Sequence, residues 1–88
     1  MSKICFSEIG WQEYLYWQST DKKILGKINN LLQSIERDGV MKGEGKPEKL
    51  RHRPGLYSRR IDDSNRLIYE VNDTLITVYN CKSHYGNK

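Results

Sequence analysis

Glu48 and His84 are a carboxylate and an imidazole in a chain otherwise notable for its arginines. Lys46, Arg51, Arg59, Arg60 and Arg66 lie on either side of Glu48 in sequence. Cleavage of a ribose phosphodiester asks for this mix. The 2′-hydroxyl must lose a proton, the leaving 5′-oxygen must gain one, and the pentacovalent phosphorus between them carries extra negative charge. A base, an acid and fixed cations meet those needs without a metal. The sequence shows nothing like a two-carboxylate metal cage, which argues against metal-assisted cleavage and for no cofactor. An imidazole with its ordinary pKa of about 6.5 suits the acid at neutral pH. Taken singly, each residue also reads as solvated: a loop carboxylate, a histidine near a chain end, two arginines on an exposed strand. His52, between Arg51 and Arg53, is in the same position. The set points to phosphate chemistry more strongly than any member.

The charge pattern agrees. Residues 42–66 hold eight Lys or Arg against four Asp or Glu, a surplus of four, which is the whole formal net charge. The residues before them carry five bases and five acids, and those after them two of each. A surplus packed into a third of a small chain is an address for a polyanion, with RNA or DNA phosphate first. The 88 residues make one domain, 1–88, with 86–88 expected as a flexible tail. Hydrophobic content of 36% implies a lean core that a partner could complete. No apolar run reaches membrane-spanning length. The opening MSKICFSEIG has no stretch of signal-peptide length, so a cytoplasmic location is expected. Cys5 and Cys81 lack metal-type spacing and read as small apolar strand residues, not as a disulfide.

These residues need elements to hold them. Residues 3–6 are short and apolar and read as an edge or end strand. Ser7 is an N-cap followed by Glu8, and Trp11, Tyr14, Leu15 and Trp17 follow helical spacing. Residues 19–21, Ser-Thr-Asp, end that helix and cap the next. Ile24, Leu25, Ile28, Leu31, Leu32 and Ile35 then define a strongly amphipathic helix that Asp38-Gly39 closes. Residues 41–49 read as a loop. Residues 56–61, 66–71 and 74–81 are rich in Ile, Val, Leu, Tyr and Thr and are separated by tight-turn residues, an antiparallel meander. The fold class is therefore α+β, with two N-terminal helices on one face of a small twisted antiparallel sheet. If Ile61 pairs with Asn65, Arg60 stands opposite Arg66, a like-charge pair best tolerated where an anion bridges it. Leu67, Tyr69 and Val71 then face the helices. Lys22, Lys23 and Lys27 form a second basic patch that reads as a solvated helix face.

GKPEKLRH, YSRRID, RLIYEV, a late HY and the run WQEYLYWQSTDKKILGKIN resemble the YoeB/Txe group of toxins, relatives of RelE, from residue 4 to residue 85. The resemblance implies a microbial-ribonuclease-like fold. It implies a type II toxin that enters the ribosomal A site and cuts mRNA there, without metal, leaving a 2′,3′-cyclic phosphate. Residue by residue it implies Glu48 as general base, Arg66 as the stabiliser of phosphate charge and His84 as general acid. It implies Arg51, Arg60 and Tyr85 as substrate and phosphate contacts, and Lys46 and Arg59 of the basic stretch are expected beside them. The implied partners are an acidic antitoxin of the YefM/Axe kind, the 70S ribosome with its mRNA, operator DNA through the antitoxin, and a second copy in a homodimer. The chain departs from the family pattern at Arg51, where lysine is frequent, at Tyr57, where tryptophan is frequent, in a shorter 52–57 loop, and in the added residues 86–88. The rival readings are a basic RNA- or ribosome-binding module that cuts nothing, an antitoxin-binding module without activity, and a ribonuclease independent of the ribosome.

Overall fold

The computed structural model describes residues 3–82. His84, Tyr85 and the 86–88 extension lie outside the described residues. The elements run β1 (Lys3–Phe6), α1 (Glu8–Thr20), α2 (Lys22–Asp38), β2 (Glu48–Lys49), β3 (Tyr57–Arg60), β4 (Arg66–Asn72) and β5 (Leu75–Asn80). The sheet order is β1-β5-β4-β3-β2.

The helix boundaries follow their caps. Ser7 Oγ accepts from the Gly10 amide at 3.0 Å, and Glu8 adds negative charge to the first turn of α1. Asp21 closes α1 through its amide to Trp17 O, and its carboxylate accepts from the Lys23 and Ile24 amides to open α2. Gly39 ends α2 at φ 109°, where a side chain would be strained. All six apolar positions expected on α2 lie in the core or against it, with Trp17, Ile61, Leu67, Tyr69, Ile76, Val78 and Cys81 opposite. Helix α1 is different. It buries Gly10 and Trp17 and leaves Trp11, Leu15 and Tyr16 exposed, so its apolar spacing does not translate into a core stripe. Gly10 lets α1 lie against β5, since a Cβ there would stand 2.5 Å from Val78 O.

The β3–β4 turn has the expected register. Ile61 donates to Asn65 O at 3.0 Å, and Arg60 stands opposite Arg66. Two features differ from the sequence reading. The sheet is mixed, because β1 pairs in parallel with β5 (Ile4 with Ile76, Phe6 with Val78). A four-residue strand, Lys-Ile-Cys-Phe, carries no signal of strand direction, and the helices lie between β1 and the rest of the sheet in sequence. Glu48 and Lys49, read as loop, form a two-residue antiparallel strand with Ser58 and Tyr57 as partners. Both free cysteines are consistent with unpaired thiols: Cys5 is exposed and Cys81 is buried just beyond β5. No helix among the described residues is long and apolar enough to cross a membrane.

Candidate active site

Strand alternation sorts the candidates. Tyr57 and Arg59 on β3 share the helix-facing side with Leu67 and Tyr69 on β4. Ser58, Arg60 and Arg66 take the other side, and the β2–β3 pairing brings Glu48 to that side opposite Ser58. Arg66 Nη1 donates to Glu48 Oε2 at 3.0 Å and to Ser58 Oγ at 3.0 Å. Glu48 remains 58% exposed and Arg66 20%, so the carboxylate is open to solvent while the guanidinium is seated against the sheet. Both contacts use Nη1, and among the described residues the Nε and Nη2 edge of Arg66 meets no side-chain acceptor, which leaves it open to an anion. Ser58 is a member of this group that residue type alone did not single out. Its place in alternation with Arg60 was the available signal.

Arg60 forms an ion pair with Asp63 in the β3–β4 turn. The two facing arginines are thus each balanced by their own carboxylate, Glu48 or Asp63, so the like-charge pair does not need a bridging anion to exist. Arg60 also borders a groove of about 320 Å³ with Lys27, Gly45, Lys46 and Ile61. Lys46 is exposed there in a left-handed conformation, φ 51°. Arg51 is exposed in the turn after β2. Further along the same side, Tyr79 donates to Glu70 Oε1 at 2.8 Å, a bond that raises the Tyr79 phenol above its usual range. A larger groove of about 410 Å³, lined by Ile4, Phe6, Tyr14 and Leu32, lies on the helix side and carries no such chemistry.

Arg59 does not belong with the phosphate contacts. It is fully buried on the helix side, and its guanidinium is consumed by protein acceptors. Alternation explains the difference: of two adjacent arginines in a strand, only one can reach the outer face. The remaining candidates, His84 and Tyr85, lie outside the described residues. The chain leading to them is anchored, for Glu13 Oε1 accepts from the amides of Cys81 (2.7 Å) and Lys82 (3.1 Å), and Trp17 Nε1 donates to Cys81 O at 2.8 Å.

A carboxylate paired with an arginine, flanked by a second arginine and a lysine-bearing groove, is a surface able to hold a phosphodiester and take a proton beside it. Comparison with known proteins puts the whole domain in the class of RelE-like bacterial toxins. The model of the YoeB-like toxin of bacterial type II toxin-antitoxin systems matches residues 6–85, and the chain belongs to that family, whose members are generally RNase toxins. It is 45% identical over 84 residues to Toxin YoeB of Escherichia coli K12, covering 94% of this chain and 99% of that one. The YoeB dimer of Staphylococcus aureus superposes with a TM-score of 0.91 at 48% identity, over 96% of this chain and 98% of the other. The toxin in the heterotetrameric YoeB-YefM complex of the same species superposes at 0.90, also at 48% identity, over 97% and 99%.

Proposed function

We propose that this toxin is a ribosome-dependent endoribonuclease that cuts mRNA in the ribosomal A site by metal-free attack of the 2′-oxygen. Glu48 takes the 2′-hydroxyl proton. Arg66 carries the charge that builds on the phosphate, and Arg60, with Lys46 and Arg51, steers and seats the RNA backbone. His84 returns a proton to the 5′-oxygen, with Tyr85 beside it positioning the substrate. The products are a 2′,3′-cyclic phosphate and a 5′-hydroxyl end. The observation that carries the reading is the 3.0 Å contact between Glu48 and Arg66 on the sheet face away from the helices, with Arg60 directly across the strand pair. A purely phosphate-binding surface gains nothing from an exposed carboxylate among its cations.

The ribosome has a defined part in this scheme. An exposed base on a short strand depends on proximity and orientation, which a pinned mRNA supplies. The antitoxin partner follows from the charge surplus at residues 42–66 and from the YoeB-YefM complexes of relatives. An acidic segment that orders on binding would cover the basic face, and operator DNA would be reached only through that partner. A homodimer is expected by likeness to the S. aureus dimer.

Primer extension on mRNA under translation tests the scheme with wild type, E48Q and H84A. Both variants should lose cutting, and expression of either without antitoxin should no longer arrest growth. Undiminished cutting by both would refute the assignment of base and acid. Equal cutting of ribosome-free RNA would make the protein an autonomous ribonuclease. Loss of cutting on adding EDTA, with ribosome integrity controlled, would refute the metal-free chemistry. A protein that binds ribosomes and cuts nothing would be the non-catalytic module.

A further inference from the structure

Arg59 is a cation with no access to solvent and no direct carboxylate partner among the described residues. Its five N–H groups meet five acceptors. Nε donates to Tyr69 Oη at 2.9 Å. Nη1 donates to Ser34 Oγ at 3.0 Å and Glu44 O at 2.9 Å. Nη2 donates to Gly39 O at 2.7 Å and Lys42 O at 2.6 Å. Three of these acceptors are main-chain carbonyls of one segment, the connection from α2 to β2. The other two reinforce it: Tyr69 Oη donates to Val40 O at 2.6 Å, and Ser34 Oγ accepts from the Glu44 amide at 2.9 Å while donating to Asp38. Burial lifts the Tyr69 phenol above its usual range.

The segment so tied is tightly fitted. Gly43 stands at φ 101°, and a Cβ there would meet Ser34 Oγ at 2.2 Å. Gly45 stands at φ 86°, and a Cβ there would come within 2.7 Å of Leu31 and 3.0 Å of Arg59 Cβ. Gly45 O accepts from the Arg60 amide at 2.7 Å, so the segment joins β3 before β2 begins. Beyond it comes Glu48, on a strand of only two residues. A strand that short has little pairing of its own to set its position, so the position is inherited from the chain before it.

We propose that Arg59 is a positioning residue: by holding residues 39–45 through their carbonyls it sets where β2 runs, and hence where the Glu48 carboxylate meets Arg66 and the RNA. This rests on Glu48 acting as the base. Arg59 touches no substrate and acts through the backbone. Lysine at this place keeps the charge but offers three donors from a single point, which cannot span acceptors lying on Tyr69, Ser34 and three carbonyls of the connection.

The test uses R59K and the milder Y69F, which keeps the ring in the core and removes the hydroxyl that links Arg59 to Val40. Hydrogen exchange by mass spectrometry should show loss of protection confined to 39–50 in both variants, with β4 and β5 amides protected as in wild type. Cutting of translated mRNA by R59K should fall by about tenfold or more, as expected for a displaced reacting group. In the E48Q background, R59K should change the residual rate by less than about twofold, because a residue acting through Glu48 has nothing left to position. Unchanged protection of 39–50 in both variants overturns the proposal. So does a further full loss on adding R59K to E48Q. Should R59K unfold, Y69F alone decides by the same two readouts. If E48Q cuts like wild type, the base assignment fails, and the exchange data still report whether Arg59 holds the segment.

Discussion

Arg66→Ala separates catalysis from folding at the candidate site. In the fold, Arg66 contributes an ion pair and one hydrogen bond. Its partner Glu48 is 58% exposed, so the pair is worth less than about 1 kcal/mol. The hydrogen bond to buried Ser58 adds about 1–2 kcal/mol. Together the loss of stability is about 2 kcal/mol, a fall in melting temperature on the order of 10 °C for a domain this small. The catalytic loss is larger. A fixed cation aimed at charge that develops only in the transition state is worth about 100- to 1,000-fold in rate. R66A should therefore lower the rate of mRNA cutting on programmed ribosomes by that factor at a temperature where circular dichroism shows the variant fully folded. R66K keeps a point charge and loses the fork that serves Glu48, Ser58 and phosphate together, so it should recover only part of the rate. R66A cutting at a rate within about twofold of wild type would remove Arg66 from the chemistry. A deficit that vanishes when the assay is cooled further below the melting temperature would mean that Arg66 serves the fold alone.

Two predictions concern groups away from the site. Burial, with the Glu13 carboxylate adding to it, pushes the Cys81 thiol up to about 12, whereas Cys5 is exposed, so a thiol reagent at pH 8 should label one cysteine in the native protein and the second only on unfolding. Asp38 is held below the usual carboxylate range, first by its hydrogen bond from Arg37 and then by that from Ser34. A folded pKa below the unfolded one stabilises the protein above the ordinary carboxylate pKa, and that contribution is lost as pH falls through the depressed value. Denaturant titrations from pH 7 to pH 2 should show a steeper acid loss for wild type than for D38N, with the two curves converging at the acid end.

The sequence was most legible where local chemistry decides structure. Ser7, Asp21 and Gly39 marked the helix ends because their side chains or backbone freedom act within a few residues. The Arg60–Arg66 register was readable because a tight turn leaves few ways to pair the flanking strands. What escaped was set at a distance. The parallel partner of β1 lies 72 residues on, and no local pattern in Lys3–Phe6 selects it. A charge tally gives each arginine equal weight and so reads Arg59 as a phosphate contact. The five acceptors that bury it come from α2, the following connection and β4, so only the assembled fold distinguishes it from Arg60. The exposed apolar residues of α1 likewise follow helical spacing, but the sheet reaches only Gly10 and Trp17 fully.

The placement of the charges divides the work of the site between a stiff part and a dependent part. Arg66 begins β4, the middle strand of the sheet, where it pairs with Arg60 of β3 and directly precedes the core residue Leu67, so the guanidinium is seated on the stiff part of the sheet. Electrostatic stabilisation requires that stiffness, since a charge that reorients during reaction gives back what it gains. Glu48 sits on the outermost strand of the same sheet, two residues long, and its place is inherited from a connection held by a buried guanidinium. A carboxylate so placed can be displaced at little cost to the fold, and it can be moved by whatever contacts the sheet edge. On the proposed function, RNA fixed on a ribosome and an acidic antitoxin segment both approach this edge from the basic side, one to align Glu48 and the other to cover it. On this reasoning, changes in the 39–45 connection should alter the rate of cutting through Glu48, whereas changes around β4 should alter the fold and the rate together.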